Sequence, residues 1–312
     1  MDVLITCPPL IGVLAEFERH FAERGLKPTA PPVVQALSEN QLVELVPNFE
    51  GWILGDDPAT LRVFEAGRRG RLRAAVKWGV GVDNVDFPSA ARLGVPVANT
   101  PGMFGDEVAD VAMAYITGLA RETYRIDREV RAGAWPKPRG VSLAGKTAGL
   151  AGFGDIGRSI ARRLIAAKMR VLVYDPAYRA VPDLDSVAHR PWPVDIDAAD
   201  FLILACALTL ENRHMISRSL LAQTRPGLRI VNVARGGLID EAALVDGLAS
   251  GRVHSAALDV FETEPLPDDS PLRRFERCVL GSHNSSNTRE AVQRASERAI
   301  DMLHGLLQQP RP

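Results

Sequence analysis

The chain has 312 residues, which is enough for two domains of ordinary size. Hydrophobic residues make up 46% of it and charged residues 24%, as in a globular protein that folds in water. Lys and Arg number 37 and Asp and Glu number 38, so the charge balance argues against the strongly basic surface of nucleic-acid-binding proteins. No apolar stretch reaches the ~18 residues needed to span a bilayer. We therefore expect no membrane as partner and, from the charge balance, no nucleic acid.

The N-terminal residues and the cysteines both favour a cytoplasmic protein. The opening sequence MDVLITC lacks the basic region of a signal peptide and is typical of a first β-strand. Cys7, Cys206 and Cys278 are an odd and scattered set, which favours neither disulfides nor a zinc site. Cys206 lies inside an apolar run, so we expect a buried thiol there. The sequence therefore predicts a reducing compartment and no metal.

Segments of strand length and of helix length alternate through most of the chain, which predicts an α/β fold with parallel sheets covered on both faces. In chain order the predicted elements are a strand at 2–6, a helix at 10–24, strands at 51–54, 74–78 and 95–99, a long helix at 104–131, a strand at 147–151, a helix at 158–168, strands at 170–174, 201–206 and 228–233, a helix at 241–250, a strand at 253–258 and a helix at 289–308. The sequence Asp56-Asp57-Pro58 is expected to open a further helix, because carboxylates favour a helix N-terminus. Residues 133–140 contain two prolines and are expected to form a loop or crossover.

The most informative segment is a G-x-G-x-x-G motif formed by Gly152, Gly154 and Gly157. A predicted strand precedes it, and a predicted helix and a second strand follow it, so the motif lies in the context of a dinucleotide-binding unit. In such a unit the first glycine permits a tight turn, the second lets the backbone approach a pyrophosphate, and the third lets helix and strand pack closely. The alternative is a glycine-rich turn that binds nothing.

The same unit identifies further candidate cofactor-binding residues. Asp155 and Ile156 stand at the start of the predicted helix, where amide groups and the helix dipole favour an anion such as the pyrophosphate. Asp175 follows the second strand and is expected to accept hydrogen bonds from the adenosine ribose hydroxyls. A solvated carboxylate at a strand end is the alternative for Asp175.

Three later segments carry the residues for chemistry. Arg235 follows one predicted strand, three carboxylates that include Asp259 and Glu264 follow the next, and His283 follows a short apolar run. In open α/β sheets, ligands bind beyond the carboxyl ends of strands. An arginine there can hold a carboxylate with two parallel hydrogen bonds, and a histidine with a carboxylate is the usual pair for acid–base catalysis near neutral pH. The carboxylate favours the charged imidazole, so we expect a raised pKa for His283.

Taken one at a time, these residues have simpler interpretations. An arginine at a strand end is often a surface residue, and a lone histidine is more often non-catalytic than catalytic. We expect the other histidines to be non-catalytic; they are His20, His189, His214, His254 and His304. For His214 a place near the cofactor stays open as an alternative, because it follows the polar loop 209–213.

Together, these motifs resemble the D-isomer-specific 2-hydroxyacid dehydrogenase family, which includes phosphoglycerate, glycerate, formate and D-lactate dehydrogenases. The similarity covers nearly the whole chain and is strongest in KWGVGVDNVD, GVPVANTPG, LAGKTAGLAGFGDIGR, NVARGGLIDEAALVDGL and AALDVFETEPLP. The resemblance implies a Rossmann doubly wound parallel nucleotide domain, at 101–284, inserted in a smaller flavodoxin-like α/β substrate domain formed by 1–100 and 285–312. It places the two crossovers near Thr100 and near residues 284–287.

The resemblance also implies a reaction, which is hydride transfer between C2 of a small 2-hydroxy acid and C4 of the nicotinamide of NAD. It makes Arg235 the arginine that binds the substrate carboxylate, His283 the acid–base histidine and Glu264 the carboxylate paired with it. Ala234 and Asp259 belong to the implied cofactor site, with Asp259 near the nicotinamide carboxamide.

On the substrate side, the resemblance implies that the amides of Val80 and Gly81 hold the substrate carboxylate. On the cofactor side, Asp175 is expected to repel a 2′-phosphate and so to favour NAD over NADP. Related enzymes form a two-fold dimer through the part of the nucleotide domain that matches 104–131, so we expect a homodimer.

The chain departs from the family pattern at several positions, none of which removes a catalytic group. Ser282 stands where a proline is usual, residues 284–287 replace small residues, and Asp110-Val111 replaces a Glu-His pair. Alanines at 205 and 207 stand where a histidine or proline is common. These departures leave the subfamily, and therefore the substrate, open.

Charge near the third predicted strand bears on the substrate. Asp56 and Asp57 would repel a phosphate group unless they cap the following helix and point away. Lys77, Lys137 and Arg139 are the alternative source of positive charge. We therefore favour a small acid without phosphate, such as glyoxylate or hydroxypyruvate, over phosphohydroxypyruvate.

Two other functions stay open at this stage. One is a non-catalytic NAD-sensing binding protein, like the transcriptional corepressors that share the fold. The other is a different Rossmann enzyme that acts on an amino acid or a formate-like acid. The presence of the arginine, the glutamate and the histidine favours the dehydrogenase over the first alternative.

Overall fold

The computed structural model describes residues 1–309, which form two compact units. One unit comprises Met1–Met103 and the chain from Asn287 onward, and the other comprises Phe104–Ser286. The chain therefore leaves the first unit after Met103 and returns to it after Ser286. The last three residues of the expected 285–312 segment lie outside the described residues.

The first unit is built on a five-stranded sheet in which all paired strands are parallel. The strands are β1 (Asp2–Ile5), β2 (Lys27–Thr29), β3 (Gly51–Leu54), β4 (Ala74–Lys77) and β5 (Val97–Asn99). The helices are α1 (Pro8–Ile11), α2 (Glu18–Glu23), α3 (Glu39–Leu45), α4 (Leu61–Arg69), α5 (Phe87–Arg92) and, from the end of the chain, α11 (Arg289–Leu307). The strand order is β2-β1-β3-β4-β5, which is the flavodoxin-like order that the resemblance implies.

The second unit is built on a seven-stranded parallel sheet. The strands are β6 (Thr147–Ala151), β7 (Arg170–Tyr174), β8 (Ala188–His189), β9 (Phe201–Leu204), β10 (Leu228–Asn232), β11 (Val253–Leu258) and β12 (Cys278–Leu280). The α-helices are α6 (Gly105–Arg121), α7 (Thr123–Arg131), α8 (Asp155–Ala166), α9 (Arg218–Gln223) and α10 (Glu241–Ala249). The order β12-β11-β10-β9-β6-β7-β8 reverses direction between β6 and β9, which makes a topological switch point. The predicted Rossmann fold is confirmed.

The central strands are buried along their whole length and are mostly apolar, because helices cover both faces of each sheet. Every residue of β3, β4, β6 and β9 is buried. Alternating apolar and polar residues are therefore missing from these strands, and continuous short apolar runs were the signal that located them.

Two predicted helices are each divided in the structure. The helix expected at 10–24 is replaced by α1, a 3₁₀ turn at Leu14–Phe17 and α2. Gly12 follows α1, and Val13 then leaves helical geometry with φ −122° and ψ 16°. The apolar spacing continues across this break, so spacing alone could not reveal it.

The long helix expected at 104–131 is divided at Glu122, which adopts a left-handed conformation with φ 54° and ψ 33° between α6 and α7. After the turn, the ring of Tyr124 lies against Gly118, where an added Cβ would be 2.2 Å from the ring. Arg125 binds the Glu122 carboxylate at 3.0 Å. Glutamate is a good helix former, so the sequence predicted no interruption there.

Short elements were not predicted from the sequence. They are β2, β8, α3, α5 and α9, which contain two to seven residues each. Elements of this length are too short to show a period. The available signal was capping: the side chains of Ser38, Asp86 and Ser217 accept from the first turns of the three helices.

The prediction that Asp56-Asp57-Pro58 opens a helix is wrong. The helix α4 begins at Leu61, and Thr60 caps it. Asp57 is fully buried instead, and its carboxylate accepts hydrogen bonds from the Thr6 hydroxyl and from the N–H groups of Leu37 (2.9 Å) and Gly55 (3.0 Å). Burial raises the pKa of this carboxyl, and the three donors oppose that rise. Asp57 therefore joins β1, β3 and the segment before α3.

Replacing Asp57 with alanine should destabilise the first unit. Asp57→Ala leaves buried donors without an acceptor, at a cost on the order of 3 kcal/mol in the free energy of unfolding. Urea unfolding followed by fluorescence measures the change. The control is Glu65→Ala, which removes an exposed carboxylate from α4 in the same unit. Equal stability of the two variants would contradict this role of Asp57.

Candidate active site

The residues selected for chemistry lie beyond the carboxyl ends of neighbouring strands in the second unit. The register aligns Leu204 with Asn232, Asn232 with Leu258, and Leu258 with Leu280, so β9 to β12 end at one level. Arg235, Glu264 and His283 follow the last three of these strands. The fold therefore brings three distant parts of the sequence to one edge of one sheet.

The glycine motif forms the turn between β6 and α8. Gly152 has φ +99°, and an added Cβ would lie 2.6 Å from the carbonyl oxygen of Ala205. An added Cβ on Gly157 would lie 2.1 Å from the carbonyl oxygen of Gly152, so helix and turn touch through their main chains. Gly154 is exposed, and no protein atom lies within 4 Å of its Cβ position.

The beginning of α8 suits an anionic group. The helix starts at Asp155, and Gly154 before it provides no side-chain cap for the first amides. Ile156 is half-buried, and the Asp155 carboxylate lies against Gly105, where an added Cβ would be 2.6 Å from it. Uncapped amides, the helix dipole and an open approach at Gly154 together fit the pyrophosphate of a dinucleotide.

Asp175 lies beside this turn and is fixed by the backbone. Its two carboxylate oxygens accept from the N–H groups of Phe153 (2.6 Å) and Ala177 (2.7 Å). The ring of Tyr178 stacks on His189 with centroids 4.4 Å apart, and His189 Nε2 lies 3.1 Å from the Asp175 carbonyl oxygen. The stacking of Tyr178 on His189 was not predicted from the sequence, because it depends on the pairing of β8 with β7.

Arg235 is held by a buried amide that the sequence analysis also missed. The side chain of Asn232 accepts from the N–H of Ala234 at 3.0 Å and donates to the carbonyl oxygen of Arg235 at 2.8 Å. The backbone of Arg235 is extended, and its guanidinium contacts the carbonyl oxygen of Ala234 at 2.9 Å. Ala234, a candidate cofactor residue, is thus buried in the turn that orients Arg235.

His283 and Glu264 form a hydrogen-bonded pair. His283 Nδ1 lies 2.7 Å from Glu264 Oε2, and the other carboxylate oxygen accepts from the N–H of Phe261 at 2.9 Å. The carboxylate therefore assigns a proton to Nδ1 and leaves Nε2 as the nitrogen that exchanges a proton. His283 has φ +55°, and its N–H donates to the carbonyl oxygen of Asp259 at 2.7 Å.

Asp259 is buried beneath the segment that carries His283. Its carboxylate accepts from the N–H groups of Asn284 (3.2 Å) and Ser285 (2.9 Å) and from the Ser285 hydroxyl. The Tyr115 hydroxyl lies 3.5 Å away, and burial together with the Asp259 charge raises the pKa of that phenol. Asp259 thus anchors the histidine segment, and two residues that depart from the family pattern supply the donors.

Val80 and Gly81 lie in the first unit, in the loop that follows β4. The preceding Gly79 has φ +134° and donates to the Thr100 hydroxyl at 2.8 Å. Val80 is 37% exposed. Lys77, before this loop, is buried, and its ammonium donates to the carbonyl oxygen of Gly55 (2.6 Å) and to Asp56 (2.7 Å).

The cysteines take no part in this arrangement. Burial raises the pKa of the Cys206 thiol to about 11, and that of Cys278 to about 11. Burial also raises the pKa of the Cys7 thiol. Within residues 1–309, no three His, Cys, Asp or Glu side chains are grouped so that they would hold a metal ion. Nor does that part of the chain contain a helix with the length and apolar character that a membrane span requires.

Comparison with known proteins identifies the family and the fold. Residues 113–285 match the family model described as "D-isomer specific 2-hydroxyacid dehydrogenase, NAD binding domain". A hydroxypyruvate reductase from Thermotoga maritima is 35% identical over 276 residues, which cover 86% of this chain and 88% of the relative. A glyoxylate reductase from Korarchaeum cryptofilum is 35% identical over 298 residues, covering 93% and 88%.

Solved structures agree with these sequence relatives. The NAD-dependent formate dehydrogenase of Staphylococcus aureus, solved in complex with NAD, superposes with a TM-score of 0.86 at 25% identity. The match covers 99% of this chain and 96% of that one.

Proposed function

Because the chain belongs to the D-isomer-specific 2-hydroxyacid dehydrogenase family and is an NAD-dependent oxidoreductase, we propose that Arg235, Glu264 and His283 are its catalytic residues. The observation that supports this most strongly is the hydrogen bond between His283 Nδ1 and Glu264 Oε2, which are 2.7 Å apart. Glu264 follows β11, and Arg235 follows the neighbouring strand β10. A histidine oriented by a carboxylate and accompanied by an arginine suits proton transfer at C2 of a 2-hydroxy or 2-keto acid.

In the proposed mechanism, bound NADH supplies the hydride that reduces C2 of the keto acid. Arg235 holds the substrate carboxylate with its planar guanidinium and polarises the C2 oxygen, an effect that is largest in the transition state. His283 donates a proton from Nε2 to that oxygen, and in the oxidation direction it takes the proton back. Glu264 keeps the ring in the required tautomer and stabilises its charged form.

For NAD, the residues present fit the group. We propose that the glycine turn and the first amides of α8 hold the pyrophosphate, through Gly152, Gly154, Asp155, Ile156 and Gly157. Asp175 would hold the adenosine ribose. The roles of Ala234 and Asp259 at the nicotinamide, and of Val80 and Gly81 at the substrate carboxylate, rest on the resemblance to the family.

The function is tested by NADH oxidation with a panel of 2-keto acids, for the parent and for His283→Ala. Loss of the imidazole should lower turnover by a factor of about a hundred or more while NADH binding is retained. The control is His20→Ala, since His20 also faces a carboxylate, Asp301 at 2.9 Å, but lies in the first unit. Equal turnover of His283→Ala and the parent would refute the assignment.

The fixed carboxylate of Asp175 predicts the choice of cofactor. Both oxygens are tied to N–H groups, so the charge stays in place, and a 2′-phosphate beside it would meet several kcal/mol of repulsion. We expect kcat/KM to be at least about ten-fold higher with NADH than with NADPH. Asp175→Ala should narrow that ratio, whereas Asp183→Ala, which removes an exposed carboxylate paired with Arg162, should not. A preference for NADPH in the parent would contradict the prediction.

The charges near β3 do not act on the substrate as the sequence analysis expected. The expectation that Asp57 repels a phosphate is wrong, because Asp57 is fully buried. Asp56 is paired with Lys77, so this pair contributes no net charge of either sign. We still propose a small acid without phosphate, now because Lys77 is neutralised and because relatives along nearly the whole chain are a hydroxypyruvate reductase and a glyoxylate reductase.

This substrate proposal makes a direct prediction. Hydroxypyruvate should give a higher kcat/KM than phosphohydroxypyruvate, since a phosphate dianion would need cationic side chains that Lys77 does not provide. Steady-state NADH oxidation with the two acids, side by side, decides the matter. A clear advantage of the phosphorylated acid would show that Lys137 and Arg139, both exposed, supply the charge.

We also propose a cytoplasmic homodimer. The three cysteines are unpaired, which accords with a reducing compartment. Apolar side chains are exposed on and after α7, namely Tyr124 (36%), Val130 (40%) and Trp135 (79%). Large exposed apolar side chains along one segment favour a contact with another protein chain, and a two-fold contact between copies is the commonest form.

A further inference from the structure

A second group of carboxylates and a histidine adjoins the His283–Glu264 pair and is not used by the mechanism. Glu241 is the first residue of α10, and Glu262 lies in the loop after β11. The N–H of Glu262 donates to Glu241 Oε1 at 2.7 Å, and the N–H of Glu241 donates to Glu262 Oε1 at 2.9 Å. We call this reciprocal pair of hydrogen bonds the Glu241–Glu262 clamp.

The clamp joins the two segments that carry Arg235 and Glu264. Glu241 begins the helix that follows the Arg235 turn, and Glu262 precedes Glu264 by two residues. The same segments touch directly at Gly236, where an added Cβ would lie 1.8 Å from the carbonyl carbon of Phe261. The two loops are therefore held together at two points, a main-chain contact beside Arg235 and the clamp beside Glu264.

His214 completes the group on its far side. His214 Nε2 lies 3.3 Å from Glu262 Oε2, the carboxylate oxygen that the clamp does not use. The N–H of His214 donates to the carbonyl oxygen of Gly237 at 2.8 Å, which ties this residue to the segment after Arg235. His214 thus lies between the segment after Arg235 and a carboxylate of the clamp.

Gathering these carboxylates has a cost, and helix capping explains only part of the arrangement. Burial raises the pKa of the Glu241 carboxyl, and the charges of Glu262 and Glu264 add to the rise against the hydrogen bond from the Glu262 N–H. Asp240 accepts from the N–H of Ala243 at 3.1 Å and Glu262 accepts from the N–H of Glu241, so both cap the first turn of α10. The reciprocal bond, from the N–H of Glu262 to the Glu241 carboxylate, caps no helix and serves only to join the two segments.

We infer that the Glu241–Glu262 clamp is a positioning device that sets Glu264 against His283 and keeps that pair in register with Arg235. The inference rests on the proposed catalytic roles of those three residues. In it, Glu241 and Glu262 act on the reaction only through the placement of Glu264, and His214 lies against Glu262 on the other side.

Alanine and glutamine variants of the clamp separate its geometry from its charge. Glu241→Ala and Glu262→Ala each remove an acceptor of the clamp. For each variant kcat should fall by about ten-fold or more, while the KM for NADH should stay within about two-fold of the parental value. The reason is that misplacement of a reacting group lowers the rate without changing cofactor binding. Glu241→Gln and Glu262→Gln keep an oxygen acceptor and should retain most of kcat. The double alanine variant should be no worse than the poorer single variant, since either change opens the same clamp.

The pH profile gives a readout that simple loss of stability would not move. Keto-acid reduction requires the protonated histidine, whose ring faces Glu264. The Asp259 carboxylate binds the N–H groups directly after His283, and Glu241 and Glu262 are joined to the loop that carries Glu264. When Glu264 is displaced it favours the charged imidazole less, so the alkaline limb of kcat/KM should move to lower pH in the alanine variants. It should stay in place in Asp246→Ala, a control that removes an exposed carboxylate from the same helix.

These experiments distinguish failure of the clamp inference from failure of the catalytic assignment. If an alanine variant fails to fold, Glu262→Asp decides, because it keeps the charge but is one methylene shorter and should lower kcat in the same direction. Parental kcat and pH profile in the folded clamp variants, together with an inactive His283→Ala, would overturn the clamp and leave the catalytic assignment standing. An active His283→Ala would instead overturn the catalytic assignment on which the inference rests.

Discussion

Beyond the first residue after a β-strand, the N–H groups of the loop leave the hydrogen-bond ladder of the sheet, and buried N–H groups without an acceptor are costly. In the second unit, side-chain oxygens accept from these groups where the strands end. The accepting side chains are Asp175 for the segment after β6, Asn232 after β10, Glu264 after β11 and Asp259 after β12. These hydrogen bonds fix the loops at this edge of the sheet, which lets side chains on them hold a defined geometry.

The same carboxylates serve both structure and chemistry. One oxygen of Glu264 accepts from the N–H of Phe261 and the other faces His283, so the loop and the imidazole share one anchor. Asp175 likewise fixes the glycine turn with the oxygens that would meet the ribose. Loss of such a side chain removes a structural acceptor along with a chemical group, and only replacements that keep an oxygen acceptor distinguish the two effects.

The sequence predicted those parts of the site that depend on strand order. Because carboxyl ends of parallel strands meet at one edge, the carboxylates after β11 were expected to lie near His283, and the resemblance to the family singled out Glu264, which is hydrogen-bonded to it. The break at Glu122 was not predicted, because it depends on how a later ring packs on α6. Nor was the bond between Glu241 and Glu262, since it requires the position of α10 relative to the loop after β11. Spacing along the chain identifies elements, whereas contacts between loops follow from packing that spacing does not encode.

The partly buried charged groups after β10 to β12 distinguish an enzyme from a protein that only senses NAD. A protein that only sensed NAD would need the glycine turn, the start of α8 and Asp175, all of which lie around β6 and β7. It would have no use for a partly buried Glu264 paired with His283, nor for the raised pKa that the neighbouring carboxylates help to impose on Glu241. The hydrogen-bonded pair of Glu264 and His283 suits proton transfer, for which a sensor has no need. In the proposed function, the strand ends from β10 to β12 carry out the acid–base chemistry, and those around β6 and β7 bind the dinucleotide.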